Sequence, residues 1–261
     1  MYYKICFIEK YFINLHYNLT PPHNLSIMNL LLLGAFFLCD SSILNFKMKK
    51  VVFYFDGFNF YHGFKSYISS NPDWKNYFWI DFVQLCSQFV FPHDNQILHK
   101  VKYFTAPPIN KFKRSKQSAL FGANKLINGS VFEVINGHYA DKFIDCQASC
   151  KETFKVPEEK CTDVNLSLSM IGDCINNDVD IIVLVTADSD QVSTIKFINQ
   201  KFPNIKTKLY FPPDRKSNDL KSLFSKVVFL ENHEDKFKNA KMTFEVKNEI
   251  KTYTKPLDWK K

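Results

Sequence analysis

Val51-Val52-Phe53-Tyr54-Phe55-Asp56-Gly57-Phe58-Asn59-Phe60-Tyr61 reads as a buried strand that stops at an acid, a glycine and an amide just before a helical pattern begins. In open α/β sheets the ligand crevice lies outside the carboxyl ends of the strands, so Asp56 and Asn59 stand where a metal or a phosphate would sit. Taken alone, Asp-Gly after a strand is a turn signal. The same grammar returns further on. The run 179–186 (Val-Asp-Ile-Ile-Val-Leu-Val-Thr) is nearly continuous in apolar residues, as strands buried on both faces of a parallel sheet are. It ends in Ala187-Asp188-Ser189-Asp190, and 192–201 is helical.

Working outward, the spacing predicts a short helix over 60–69, a helical face over 80–91, a strand over 97–106 and a helix over 111–128. A strand follows at 131–140, then a loop over 141–161 and a helix from Asp163. A strand at 206–211, a short helix at 219–224 and a strand at 226–230 complete the pattern. Strands alternating with helices mean a mostly parallel sheet with right-handed crossovers. From Glu231 onward the chain is charged and poorly patterned, which predicts a mobile tail over 232–261.

The chain has 261 residues, enough for one α/β domain, assigned to 48–231. A hydrophobic share of 46% excludes a disordered chain. The net charge of +8 favours a polyanionic partner, although lysine is plentiful throughout. Seven scattered cysteines suit a reduced, cytoplasmic protein. Residues 1–47 read differently. The apolar run 27–39 is shorter than the roughly 20 residues a membrane span needs. Its lead-in carries Glu9 and Pro21-Pro22, unlike a compact signal peptide. Three readings stay open for this extension: a mis-assigned start before Met48-Lys49-Lys50, a signal or anchor, or a packed segment. A membrane partner is not expected, and a homodimer is compatible with the sequence.

Asp56, Asp163 and the pair Asp188/Asp190 form a candidate acidic constellation, since a few carboxylates plus water suit Mg²⁺ or Mn²⁺. Asp163, in the first turn of its helix, is equally placed to cap free amides. Asp190 is equally placed as the N-cap of the next helix. Asp173 is excluded, because ten helical residues put it about 15 Å from Asp163. The cluster Lys111-Phe112-Lys113-Arg114-Ser115-Lys116 is the densest basic stretch, suited to a nucleic-acid backbone or simply to a solvated face.

At these residues the chain resembles the NYN domain family, a branch of the PIN-like nucleases. The matching stretches are Asp56 to Tyr61, then Glu159, Lys160, Asp163, Val164 and Asn165, then Thr186 to Asp190. They come in the family's order. The resemblance implies a Rossmann-like, PIN-type three-layer sandwich that binds Mg²⁺ or Mn²⁺ and hydrolyses RNA phosphodiester bonds. It makes Asp56, Asp163 and Asp188 ligands, Asp190 a further acid and Asn59 an orienting or phosphate-contacting amide. Thr186 and Ser189 supply hydroxyls near the nucleic acid, and Lys111, Lys113, Arg114 and Lys116 hold the strand. Relatives often carry an acid where Ser169 stands, a glycine at Ala187 and an aromatic at Gln191. These departures motivate an alternative, a non-catalytic RNA-binding protein. A small-molecule phosphatase lacks support, as no Asp-x-Asp-x-Thr pattern is present. Cys146, Cys150 and Cys161, with His138, are a candidate zinc set against the simpler reading of reduced thiols.

Overall fold

β1 (Lys49–Asp56) packs on both of its faces: Val51, Phe53 and Phe55 enter one core, Val52 and Tyr54 another. With bulky residues on each side, the strand has no solvent face and must lie inside a sheet covered above and below. The computed structural model describes residues 47–146 and 152–259. In it, β2 (Gln96–Thr105) and β3 (Phe132–Asn136) lie on one flank of β1. β4 (His138–Asp145) and β5 (Thr153–Lys160) form a separate antiparallel pair. β6 (Ile181–Val185), β7 (Lys206–Phe211) and β8 (Val227–Phe229) extend the other flank.

The six-stranded sheet runs β3-β2-β1-β6-β7-β8 and is parallel throughout. That is the strand succession of a doubly wound sheet, with its switch point between β1 and β6. Helices α1 (Gly57–Ser70), α2 (Phe82–Ser87) and α3 (Lys111–Asn128) cover one face through Phe60, Phe64, Phe82, Leu85 and Phe121. On the other face, α4 (Thr162–Ile175) buries Leu166, Met170 and Cys174, one residue per turn. α5 (Gln191–Lys201) and α6 (Asn218–Lys221) add Ile195, Ile198 and Leu220 to that face. The result is a three-layer, Rossmann-like α/β architecture. Side chains of Asp56, Asp81 and Asn110 accept amide hydrogens at the starts of α1, α2 and α3, which fixes where those helices begin.

Several sequence expectations are corrected. The strand expected over 131–140 is two strands, broken at Gly137, whose amide donates to the Thr105 carbonyl at 2.8 Å. The loop expected over 141–161 is the β4–β5 hairpin, with His138 opposite Lys160 and Asp145 opposite Thr153. Its arms expose Phe143, Ile144 and Phe154, so they lack the alternation that marks a half-buried strand. The expected mobile tail is folded. α7 (Glu234–Asn239) buries Phe237 among Phe64, Trp74 and Tyr77. The hairpin of β9 (Glu245–Lys247) and β10 (Thr252–Thr254) follows, and Trp79 donates its indole N–H to the Thr243 carbonyl at 2.7 Å. Charge hid this segment because its few apolar anchors have no regular spacing.

The helical face expected over 80–91 is shorter, ending at Ser87, and Pro92 opens a 3₁₀ turn instead. The N-terminal apolar run and Cys150 lie outside the described residues. Among the described residues no helix is long and apolar enough to cross a membrane.

Candidate metal centre

β1 and β6 lie side by side, so the turns that follow them open into the same crevice. Asp56 ends β1, and Asp188 follows β6 by three residues. Asp163 arrives from a third direction, in the first turn of α4. Each of these three residues brings one carboxylate oxygen to within 4.8 Å of the others. Asp56 is buried, Asp188 half-buried and Asp163 exposed.

Asp56 is held from two sides. Its Oδ1 accepts the Asn59 amide at 3.0 Å, and its Oδ2 accepts the Thr186 hydroxyl at 2.6 Å. Thr186 Oγ1 in turn accepts the Asp188 amide at 3.0 Å, and Asp188 Oδ1 accepts the Asp190 amide at 3.0 Å. One hydroxyl therefore ties the turn after β1 to the turn after β6. Gly57 is required between Asp56 and the rest of α1, because a Cβ there would collide with the Phe104 carbonyl and the Tyr103 ring.

Among the described residues, no lysine or arginine forms an ion pair with any of the three acids. At 4.8 Å and an effective dielectric near 20, each pair of negative charges repels by about 3 kcal/mol. The proton affinities respond accordingly. Burial pushes Asp56 up, against the pull of the Thr186 and Asn59 hydrogen bonds, and the Asp188 charge adds to the rise. Asp163 is pushed up to about 6, by loss of hydration first and then by the charges of Asp56, Asp188 and Asp190. Three hard oxygen donors on a rigid frame with surplus negative charge are a donor set that fits Mg²⁺ or Mn²⁺.

The remaining sequence candidates fall into place around this trio. Asp190 lies outside the close group and acts on Asp163 through its charge. It stands at the N-cap of α5, yet its side chain makes no capping bond. Thr186 is wholly buried, so its expected contact with nucleic acid is corrected to the positioning of Asp56. Ser189 is exposed. Asp173 stands apart, accepting from Lys102 at 2.7 Å and from Tyr54 at 2.5 Å. Ser169 also accepts from Lys102, at 3.1 Å, so position 169 serves that ion pair. Arg114 donates to the Pro108 carbonyl at 2.8 Å and Lys116 pairs with Asp258, while Lys111 and Lys113 are exposed.

The described members of the zinc set do not come together. Cys146 follows one end of the β4–β5 ladder and Cys161 the other, and the ladder between them alone spans seven residue steps, roughly 23 Å. His138 lies at the Cys161 end.

Two features escaped the sequence. Gln191 is buried, and its amide donates to the Asp163 carbonyl at 3.5 Å while its oxygen accepts from Ser167 at 3.1 Å. It fastens the start of α5 to the helix that carries Asp163. The second feature is a cavity of about 440 Å³ beside the trio, bounded by α1, α3 and the β4–β5 hairpin. Its walls are aromatic, and aromatic residues scattered along a chain give no periodic signal.

No family model matches the chain. It is 31% identical over 176 residues to 6-hydroxy-3-succinoylpyridine 3-monooxygenase HspA of Pseudomonas putida (strain DSM 28022 / S16). That match takes in 56% of this chain and 54% of the relative, so the chain spans about half the relative's length. A crystal structure of a protein of unknown function from Vibrio parahaemolyticus RIMD 2210633 is similar with a TM-score of 0.47 and 21% identity, over 69% of this chain and 92% of that one.

Proposed function

We propose that the chain is a divalent-metal-dependent nuclease of the PIN-like kind that hydrolyses RNA. The observation that carries this reading is the trio Asp56, Asp163 and Asp188 at the switch point of the sheet. These three residues would hold Mg²⁺ or Mn²⁺. An ion bound there supplies positive charge that stabilises phosphate oxygens and eases the loss of a proton from water.

The chain's own residues supply the rest. Thr186 and Asn59 keep the Asp56 carboxylate oriented before any substrate arrives. Asp163, at the solvent side of the trio, takes the proton of the attacking water as the new P–O bond forms, and the leaving oxygen takes a proton from solvent as its bond to phosphorus breaks. Lys111 and Lys113, at the start of α3, hold the strand through its phosphates. The check is cleavage of RNA in Mn²⁺ by wild type, Asp56→Asn and Asp188→Asn. Each substitution is expected to cost about 100-fold or more, since even partners that only orient a ligand cost roughly 10–100-fold. Equal rates in all three proteins would sink the assignment.

The relative's printed name supports a second reading. That protein is named for a hydroxypyridine bearing a succinoyl chain, and the aromatic cavity here is of small-ligand size. In this reading the chain hydroxylates a small heteroaromatic acid using dioxygen and an electron donor. Dioxygen uptake with such an acid and a reductant, in a protein that leaves RNA intact, would favour it.

A further inference from the structure

The cavity beside the trio has an aromatic inner surface formed by Phe58, Tyr61, His62, Phe78, Tyr103 and Trp259. These rings reach one another: Phe58 lies 4.3 Å from His62, Tyr61 6.1 Å from Phe78, and Phe78 stacks on Trp259 at 5.3 Å. Phe58 is half exposed, an unusual position for a phenylalanine two residues from a buried acid. At the rim stand Lys65 and Lys113, neither in an ion pair among the described residues. The positive surroundings are felt by His62, whose proton affinity falls through burial first and then through Arg215, Lys65 and Lys113. Polar groups also line the cavity. Asn110 spends its side-chain oxygen on capping α3, which leaves its amide as a donor, and Gln117 donates to Thr105 at 3.2 Å.

Two of the residues that line the cavity are linked to the acids. Gly57 lines it and follows Asp56 directly. Glu159 lines it and accepts from Thr162 at 2.5 Å, and Thr162 precedes Asp163. Beyond the rim, on α3, Phe112 is almost fully exposed between Lys111 and Lys113. Exposed rings interleaved with lysines are what a single strand uses, bases on the rings and phosphates on the ammonium groups.

We propose that this cavity is a nucleobase-binding subsite, which takes one unpaired base of single-stranded RNA, stacks it on Phe58 and Tyr61, and thereby sets the adjoining phosphate against the acidic trio. The inference rests on the nuclease reading and deepens it: the substrate class becomes unpaired RNA, because a base within a duplex cannot enter the cavity.

Binding is read without cleavage by fluorescence anisotropy of a short labelled oligouridine with the full chain in EDTA. Phe58→Ala and Tyr61→Ala are each expected to weaken binding about tenfold, the scale of one lost base stack. An oligomer with abasic sites should bind wild type as weakly, and should lose nothing further against Phe58→Ala. Circular dichroism melts verify that the variants fold, which the partial exposure of both residues favours. Wild-type affinity in both variants, with Mn²⁺-dependent cleavage intact, overturns the subsite and leaves the nuclease reading standing. Absence of RNA binding, with nicotinate quenching the tryptophan fluorescence of wild type but not of Phe58→Ala, overturns it in favour of a small heteroaromatic acid.

Discussion

Asp163 is the acid of the trio whose charge is most conditional. Its carboxyl is pushed from the ordinary 3.8 up to about 6, so folding favours the protonated form. The stability it contributes is complete below about pH 4 and is lost as pH rises through about 6. Metal-free protein should therefore melt at lower temperature at pH 7.5 than near pH 5, as far as this group decides. Asp163→Asn should flatten that dependence and raise the melting temperature at pH 7.5 in EDTA. Mn²⁺ should stabilise wild type and have much less effect on the variant, and thermal melts across pH with and without the ion check all three points. A flat wild-type profile would refute the electrostatic account. Asp56, Asp163 and Asp188 were all legible in the sequence, because acids after buried strands and at helix starts are local signals. Gln191 and Thr186 were not legible in their roles, because each acts through a partner set by tertiary packing.

At the scale of elements, the hairpin β4–β5 and the helix α4 meet at Gly137. A Cβ on that residue would come within 2.5 Å of both the Lys160 carbonyl and the Thr162 hydroxyl. Gly137→Ala must push the start of α4 outward, and Asp163 moves with it. The expected outcome is a modest loss of stability, about 1–3 kcal/mol, as overpacking costs. Mn²⁺ affinity should fall by more than that of a control substitution elsewhere on the hairpin. Isothermal titration beside urea denaturation separates the two effects, and unchanged Mn²⁺ affinity would refute the link. The parallel strands were readable from their apolar runs, and 206–211 matched residue for residue. The hairpin was not, because its exposed arms mix charge with isolated aromatics and pair only with each other.

At the scale of the molecule, residues 232–259 belong to the fold although their composition suggests a tail. Phe237 sits against Phe64, Trp74 and Tyr77, so Phe237→Ala should cost about 3–5 kcal/mol, measured by urea denaturation. A mobile segment would lose nothing. The central position of β1 has a further consequence, for the order of assembly. Its partner β6 enters the chain late, and the Thr186 to Asp56 bond spans 130 residues. A nascent chain therefore carries β1 with one edge open, an aromatic strand exposed to misassociation until β6 is made. Contacts this distant in sequence form slowly, so the acidic crevice is among the last features to appear. An ion that recognises only the completed crevice cannot hasten the early steps. On the proposed metal reading, such an ion would act as a latch, slowing escape from the native state once β6 has docked.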